Sequence, residues 1–144
     1  MHYPLFLELT GQRVIVVGGG KVATRKARSL VAAGACITVI SPVVTAAIQR
    51  MKNAHWLRRR YRAGDLRGAC LVVAATDDLD VNRQVCAEAK RRRLLANCAA
   101  PPEAGNFIVP SVVRRGLITI AISTGGASPA LAKATRKKLE KFLP

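Results

Sequence analysis

Apolar and polar positions along the first hundred residues fall in blocks whose period switches between strand and helix. Residues 13–17, RVIVV, are mostly β-branched and run directly into three glycines, the pattern of a short strand buried on both faces. In the following KVATRKARSLVAAG, Val22, Ala23, Ala27, Leu30 and Val31 recur at helical spacing, Arg25, Lys26 and Arg28 fall mostly opposite, and Gly34 supplies a stop. ITVI at 37–40 reads as a second strand closed by Ser41-Pro42, followed by an expected helix over 43–52 and a basic edge strand within HWLRRRYR. CLVVAAT at 70–76 repeats the buried-strand pattern. Asp77 or Asp78 then caps a helix to about Arg93, with Val81, Val85 and Ala89 on one face and Lys90, Arg91, Arg92 and Arg93 in its last turn. LLANC, 94–98, completes another strand.

Strands alternating with helices at this spacing imply an α/β fold, a mostly parallel Rossmann-like sheet with right-handed crossovers. The rhythm breaks at AAPPEAGN, 99–106, a loop or joint. Beyond it come a short FIVP strand, an alternating strand LITIAIS at 117–123, the turn TGGAS, and a basic helix that starts with Ser128 as N-cap and Pro129 as first helical residue. The chain therefore divides into a Rossmann-like domain, 1–110, and a small α+β segment, 111–144.

With 144 residues, half of them apolar, the chain can close a core, and disorder is excluded. Its 24 Lys and Arg against 8 Asp and Glu give a formal charge of +16, which by itself suggests nucleic acid as partner. Two features argue against that. Only six residues are aromatic, and they are not interleaved with the basic runs in the way a base-stacking platform would need, Tyr61 alone standing inside one. The charge is also spread, +10 over residues 1–64 and +6 over the rest, instead of gathered on one arm or helix. Cys36, Cys70, Cys86 and Cys98 show no zinc spacing, and Cys36 and Cys70, opening apolar runs, are expected as small core side chains in a reducing compartment. No metal site is expected. The apolar stretch near the start is broken by Glu8 and no other approaches the ~18 residues a membrane span needs, so a cytoplasmic protein without a membrane partner is expected.

The strand-turn-helix junction carries the chemistry. Gly18-Gly19-Gly20-Lys21-Val22-Ala23 fits G-x-G-x-x-A: Gly18 for the tight turn, Gly20 for backbone approach to a pyrophosphate at the helix N-terminus, Ala23 for close helix–strand packing. The acidic residue that usually follows about 20 positions on to hold the ribose hydroxyls is missing, and Ser41 stands at the second strand's tip instead. With no Arg closely after Ser41 to hold a 2′-phosphate, the expectation is NAD.

At these residues the chain resembles one family closely, the NAD-dependent precorrin-2 dehydrogenases with sirohydrochlorin ferrochelatase activity, including the N-terminal part of siroheme synthases. The resemblance rests on PLFLEL near the start, VVGGGKVATRKA at 16–27, VVAATDDLDVN at 72–82, NFIVP at 106–110 and STGGASPALA at 123–132, in the family's order. It implies oxidation of precorrin-2 to sirohydrochlorin with NAD as hydride acceptor. In bifunctional members ferrous iron is then inserted as a chelatase substrate. It also implies that Thr76, Asp77 and Asp78 lie along the cofactor side of the cleft, that Asn82 begins the helix behind them, and that Asn97 faces substrate. Helix capping explains the two aspartates equally well. Residues 111–144 match the part that forms a homodimer interface and lines the tetrapyrrole cleft, and a further helical module usually follows it.

One departure bears on activity. Where the family usually reads N-V-V-D-x-P, this chain has Asn97-Cys98-Ala99-Ala100-Pro101-Pro102, so Ala100 stands in the place of the expected catalytic Asp. Glu103 is the nearest substitute, although a solvated loop acid is the simpler reading of it. Dehydrogenation with solvent as proton acceptor is expected to survive, and ferrochelation to suffer. A polycarboxylate tetrapyrrole calls for a basic site: Arg114 and Lys133, together with the backbone N–H groups around Gly125, Gly126 and Ser128, are the candidates, and solvated charge with helix capping is the competing explanation. The alternative readings are a catalytically silent NAD- and tetrapyrrole-binding relative and a basic nucleic-acid binder.

Overall fold

The computed structural model describes residues 1–144, which form two compact units: Phe6–Phe107, and Met1–Leu5 with Ile108–Pro144. The first unit is built from strand β1 (Arg13–Val17), helix α1 (Lys21–Ala32), strand β2 (Cys36–Ile40), helix α2 (Ala46–Gln49), strand β3 (Ala54–Leu57), strand β4 (Leu71–Ala74), helix α3 (Leu79–Arg91) and strand β5 (Leu95–Cys98). All five strands are parallel, in the order β3-β2-β1-β4-β5.

The alternating side chains of β1 show how one strand serves two layers. Val14 and Val16 pack with Ala23 and Ala27 of α1 and with Val39 on one face of the sheet, while Ile15 and Val17 pack with Val72, Val85, Cys86 and Ala89 on the α3 face. Four β1 residues are essentially inaccessible, as the β-branched run requires in a strand covered on both faces. The stretch after β3 closes the α3 face: Leu66 is fully buried, and the buried Glu88 carboxylate accepts hydrogen bonds from Tyr61 Oη, Gly64 N–H and Arg92 Nε.

In the second unit, strand β6 (Ser111–Arg115) pairs antiparallel with β7 (Ile118–Ile122), and α4 (Pro129–Phe142) follows. Ser128 caps α4, its hydroxyl oxygen accepting from Leu131 N–H.

Several expectations need correction. The helix expected over 43–52 shrinks to Ala46–Gln49, because Ser41 Oγ donates to Val43 O and Thr45 N–H reaches Gly19 O, so the preceding residues are committed to a loop. No strand forms at FIVP. Pro110 lacks a ladder donor, and the strand falls instead on Ser111–Arg115. Cys36 is exposed, not core, since it opens β2 at the sheet's rim opposite Arg13; Cys86 and Cys98 are the buried pair. Val22 points outward and Thr24 takes the buried position beside Ala23. Asn82 does not begin α3; it is the helix's fourth residue and wholly inaccessible.

Candidate functional site: a glycine-lined crevice at the sheet's switch point

The chain leaves β1 toward β2 and β3, then returns across the sheet to β4 and β5. The order therefore reverses between β1 and β4, and ligands of open α/β sheets bind at the strands' carboxyl ends at such a reversal. The Gly18–Gly20 turn sits there. Gly18 has φ +122°, a conformation that side-chain-bearing residues avoid, and a Cβ on it would lie 2.2 Å from Ala75 O. A Cβ on Gly19 would lie 2.0 Å from Val43 O and 2.9 Å from Ser41 Oγ. Gly18 and Gly19 are thus wedged between the tips of β4 and β2, while a Cβ on Gly20 would meet nothing within 4 Å.

Backbone bonds lock the turn in place: Gly18 N–H to Ile40 O at 3.0 Å, Thr45 N–H to Gly19 O at 3.0 Å, and Ala75 N–H to Val17 O at 2.8 Å. Thr24 Oγ1 donates to Gly20 O and shares a hydrogen bond with Thr45 Oγ1 at 2.7 Å, joining α1 to the loop after β2. Gly20, the N-cap of α1, offers no side-chain acceptor, so the first N–H groups of the helix have no capping side chain. Open space over Gly20 and uncapped donors behind it fit the pyrophosphate of a dinucleotide. Lys21 and Val22, exposed in the first turn, flank it, and buried Ala23 lets the helix lie close on β1.

On the other side of the crevice Thr76 is held by Asn82. The Asn82 Oδ1 accepts from Thr76 N–H at 3.0 Å and Thr76 Oγ1 at 2.7 Å, and its Nδ2 donates to Thr76 O at 3.1 Å and Ala100 O at 2.8 Å. One inaccessible amide thereby ties the loop after β4 to the loop after β5. Asp78 is the N-cap of α3, its carboxylate accepting from Asp80 and Val81 N–H; Asp77 is exposed.

Asn97 is buried rather than open: its Oδ1 accepts from Lys26 Nζ at 2.7 Å and its Nδ2 donates to Phe107 O at 3.2 Å. Burial, and to a smaller extent Arg25, lowers the Lys26 pKa below the usual lysine range. Ala100 is half-buried, and Glu103 is exposed in the 3₁₀ turn Pro102–Ala104. In the second unit Arg114 and Lys133 are exposed on β6 and α4. The turn before α4 is internally bonded: Gly125 N–H to Ser123 Oγ and Ser128 N–H to Thr124 Oγ1, with Gly126 exposed between them. At the crevice's β2 rim, Ser41 is buried with its hydroxyl turned onto Val43 O. A separate open groove of about 450 Å³, lined by Arg13, Cys36, Asn53 and His55, lies at the opposite ends of the strands, where no turn of this kind exists.

Gly19, Lys26 and Asn82 therefore belong beside the residues the motif names. Gly19 falls on the motif's unspecified position, Lys26 acts through Asn97, 71 residues away, and Asn82 joins nearby Thr76 to the more distant Ala100.

Two family models match the chain: one described as "Putative NAD(P)-binding" over residues 5–111, and one described as sirohaem biosynthesis protein, central, over 115–141. Among curated proteins, the siroheme synthase of Pseudomonas entomophila is 44% identical over 99% of this chain and 32% of its own length. That of Chromobacterium violaceum is 41% identical over 99% and 31%. The chain thus spans about a third of the length of these relatives. A solved structure titled SirC, precorrin-2 dehydrogenase, superposes with a TM-score of 0.87 at 36% identity, covering 99% of this chain and 72% of that one. A glycine turn at the switch point that fits a dinucleotide, in a chain matched by such relatives over nearly all of its own length, places this protein in the precorrin-2 dehydrogenase and siroheme synthase family, with an NAD(P)-binding Rossmann-like unit.

Proposed function

We propose that the chain oxidises precorrin-2 to sirohydrochlorin with NAD as hydride acceptor, a step of siroheme biosynthesis. The observation that carries this reading is the Gly18–Gly20 turn at the switch point, in a fold matched by a precorrin-2 dehydrogenase over 99% of the chain. When bound, the dinucleotide would supply the two-electron acceptor for a hydride, with the accompanying proton released to solvent. The chain's own residues bind and orient. The first turn of α1 holds the pyrophosphate, and Thr76, fixed by Asn82, shapes the wall beside it. Arg114, Lys133 and the turn at Gly125, Gly126 and Ser128 are the proposed contacts for substrate carboxylates.

The second unit is proposed to pair with a second copy. Leu117, Ile118, Leu131 and Phe142 are exposed, whereas only Val113 and Ala132 are buried apolar residues of this unit, a small core for a free-standing segment. No helix is long and apolar enough to cross a membrane, which is compatible with the proposed cytoplasmic location.

The test supplies precorrin-2 and NAD and follows NADH and sirohydrochlorin, then repeats with ferrous iron as second substrate and with Ala100→Asp. NADH formation by the parent, with iron insertion appearing only in the variant, is the expected result. Ala100 also favours a second reading, a silent relative that binds NAD and tetrapyrrole. Binding without any NADH would establish it.

A further inference from the structure

Charge that is spread along the sequence is gathered by the fold. The segment 58–70 runs from the end of β3 back to the start of β4, and α3 runs from the end of β4 back to the start of β5, so both deliver their last residues to the strand ends opposite the Gly18–Gly20 turn. The buried Glu88 carboxylate ties the two together: Gly64 N–H donates to it at 2.9 Å and Arg92 Nε at 2.8 Å, with Tyr61 Oη as a third donor. Arg92 thereby turns its Nε edge inward, and its two terminal nitrogens have no acceptor within the chain. Arg62 and Arg67 on the segment, and Arg91 and Arg93 at the helix end, are exposed.

The carboxylates that face these cations are already taken, Glu88 in this network and Asp65 by Arg59 through two bonds of 2.8 and 2.9 Å. The dipole of α3 accounts for cations in its last turn. It does not account for Arg62 and Arg67, nor for Arg93, which follows the helix at φ +58°, a left-handed conformation that glycine takes without strain. Neither 58–70 nor 83–95 exposes a large apolar side chain, so the surface lacks the apolar anchors of a protein interface. Tyr61 is half-buried against the α3-side core with its hydroxyl on Glu88, and so gives unpaired bases no free platform.

We infer that these arginines form a binding surface for the phosphate backbone of duplex nucleic acid, at the opposite end of the sheet from the dinucleotide crevice. Guanidinium groups meet phosphate oxygens in bidentate geometry, and their charge is retained whatever the surroundings. A surface that has charge but neither apolar anchors nor stacking faces recognises its partner through the backbone alone, without sequence preference. The oxidation proposed above draws on none of these residues, so surface and crevice are tested separately.

The experiment follows the fluorescence anisotropy of a labelled DNA duplex of about 24 base pairs, titrated with the full chain between about 50 and 200 mM salt. About four phosphate contacts give a slope of log affinity against log salt near −3.6, a loss of about a hundredfold over that range. The triple variant Arg62→Gln, Arg67→Gln, Arg91→Gln should bind on the order of tenfold or more weakly, with a slope shallower by about two to three. A control that removes the same charge from exposed lysines of α4, Lys137→Gln, Lys138→Gln, Lys141→Gln, should change the affinity by less than about threefold, because screened charges outside the surface contribute little. Arg93→Gly, relieved of its left-handed arginine, should melt no lower than the parent and still bind about two- to fivefold more weakly. Equal losses in the two triple variants overturn the surface and leave only diffuse net charge. Absence of duplex binding at the lowest salt overturns it too, as does tighter binding of single-stranded oligothymidylate. Tighter binding of polyglutamate than of the duplex at equal charge concentration also overturns it, and assigns the arginines to an acidic protein partner.

Discussion

Asn82 is the residue whose removal should cost most for its size. It is fully buried, and all four of its hydrogen-bonding directions are used, three on Thr76 and one on Ala100 O. In Asn82→Ala the Thr76 hydroxyl keeps its bond to Asp78 O, but the Thr76 N–H and the carbonyls of Thr76 and Ala100 lose their amide partner. An unsatisfied buried group costs about 1–3 kcal/mol, and carbonyls tolerate it better than N–H groups, so a loss of roughly 2–5 kcal/mol is expected. For a domain whose total stability is of order 5–15 kcal/mol this is a large fraction. In urea, with a slope of about 2 kcal/mol/M, the midpoint should fall by roughly 1–2.5 M at unchanged slope. Asn82→Asp offers a second reading of the same contacts. Its second oxygen faces two carbonyls, so the carboxyl is stabilised in its protonated, donating form and its folded pKa rises. Relative to the parent, that variant should therefore fare best below about pH 3.9 and lose stability as pH rises through its raised folded value. The reasoning is refuted if Asn82→Ala unfolds within about 0.3 M urea of the parent at the same slope, since water would then be replacing the amide at no cost.

The glycines separate architecture from binding. Gly19→Ala drives a Cβ into Val43 O and should lower the melting temperature by several degrees or prevent folding, whereas Gly20→Ala has open space and should melt as the parent does yet lose dinucleotide affinity by tenfold or more, on the order of the phosphate contacts it obstructs. Because the Asp65 pKa is held down by Arg59, its stabilising effect is complete above the unfolded value near 3.8 and is lost as pH falls through the lower folded value. Asp65→Asn should accordingly reduce stability at pH 7 and flatten the acid limb of a stability–pH curve. Of the four thiols, Cys36 should react rapidly with a disulfide reagent under native conditions. Cys86 and Cys98 should react only on unfolding, because burial and the neighbouring Cys98 push the Cys86 thiol up to about 12. Counting released chromophore before and after denaturant tests this.

What the sequence made legible was whatever depends on near neighbours: the buried β1 run, the glycine turn, a cap at Asp77 or Asp78 and another at Ser128, and the alternation that yields a parallel sheet. What it hid depends on partners distant along the chain. Gly19 is necessary because the 41–44 loop returns against it, and no local rule distinguishes it from the motif's free position. Lys26 looks like a solvated charge until the fold brings Asn97, 71 positions later, under its ammonium. The miss at FIVP was different in kind, for there an apolar run outweighed the missing N–H of Pro110.

The loop that carries Ala100 is held through its own backbone groups: Ala100 O receives Asn82 Nδ2, Ala99 N–H reaches Ala74 O at 2.8 Å, and Ala104 N–H returns to Pro101 O. None of these bonds involves the side chain at 100. A carboxylate there would add nothing to the loop's conformation that alanine fails to supply, so its absence is a chemical change and not an architectural one. General-base assistance is worth about 10²–10⁴-fold, and it is lost only from a step that requires it. Hydride transfer requires an acceptor in the right orientation, which the dinucleotide site proposed at the Gly18–Gly20 turn and α1 would provide independently of residue 100. Metal insertion requires two pyrrole protons to depart as the ion arrives. The two activities should therefore come apart at this one position, with oxidation retained and chelation restored by Ala100→Asp without any change in the midpoint of unfolding.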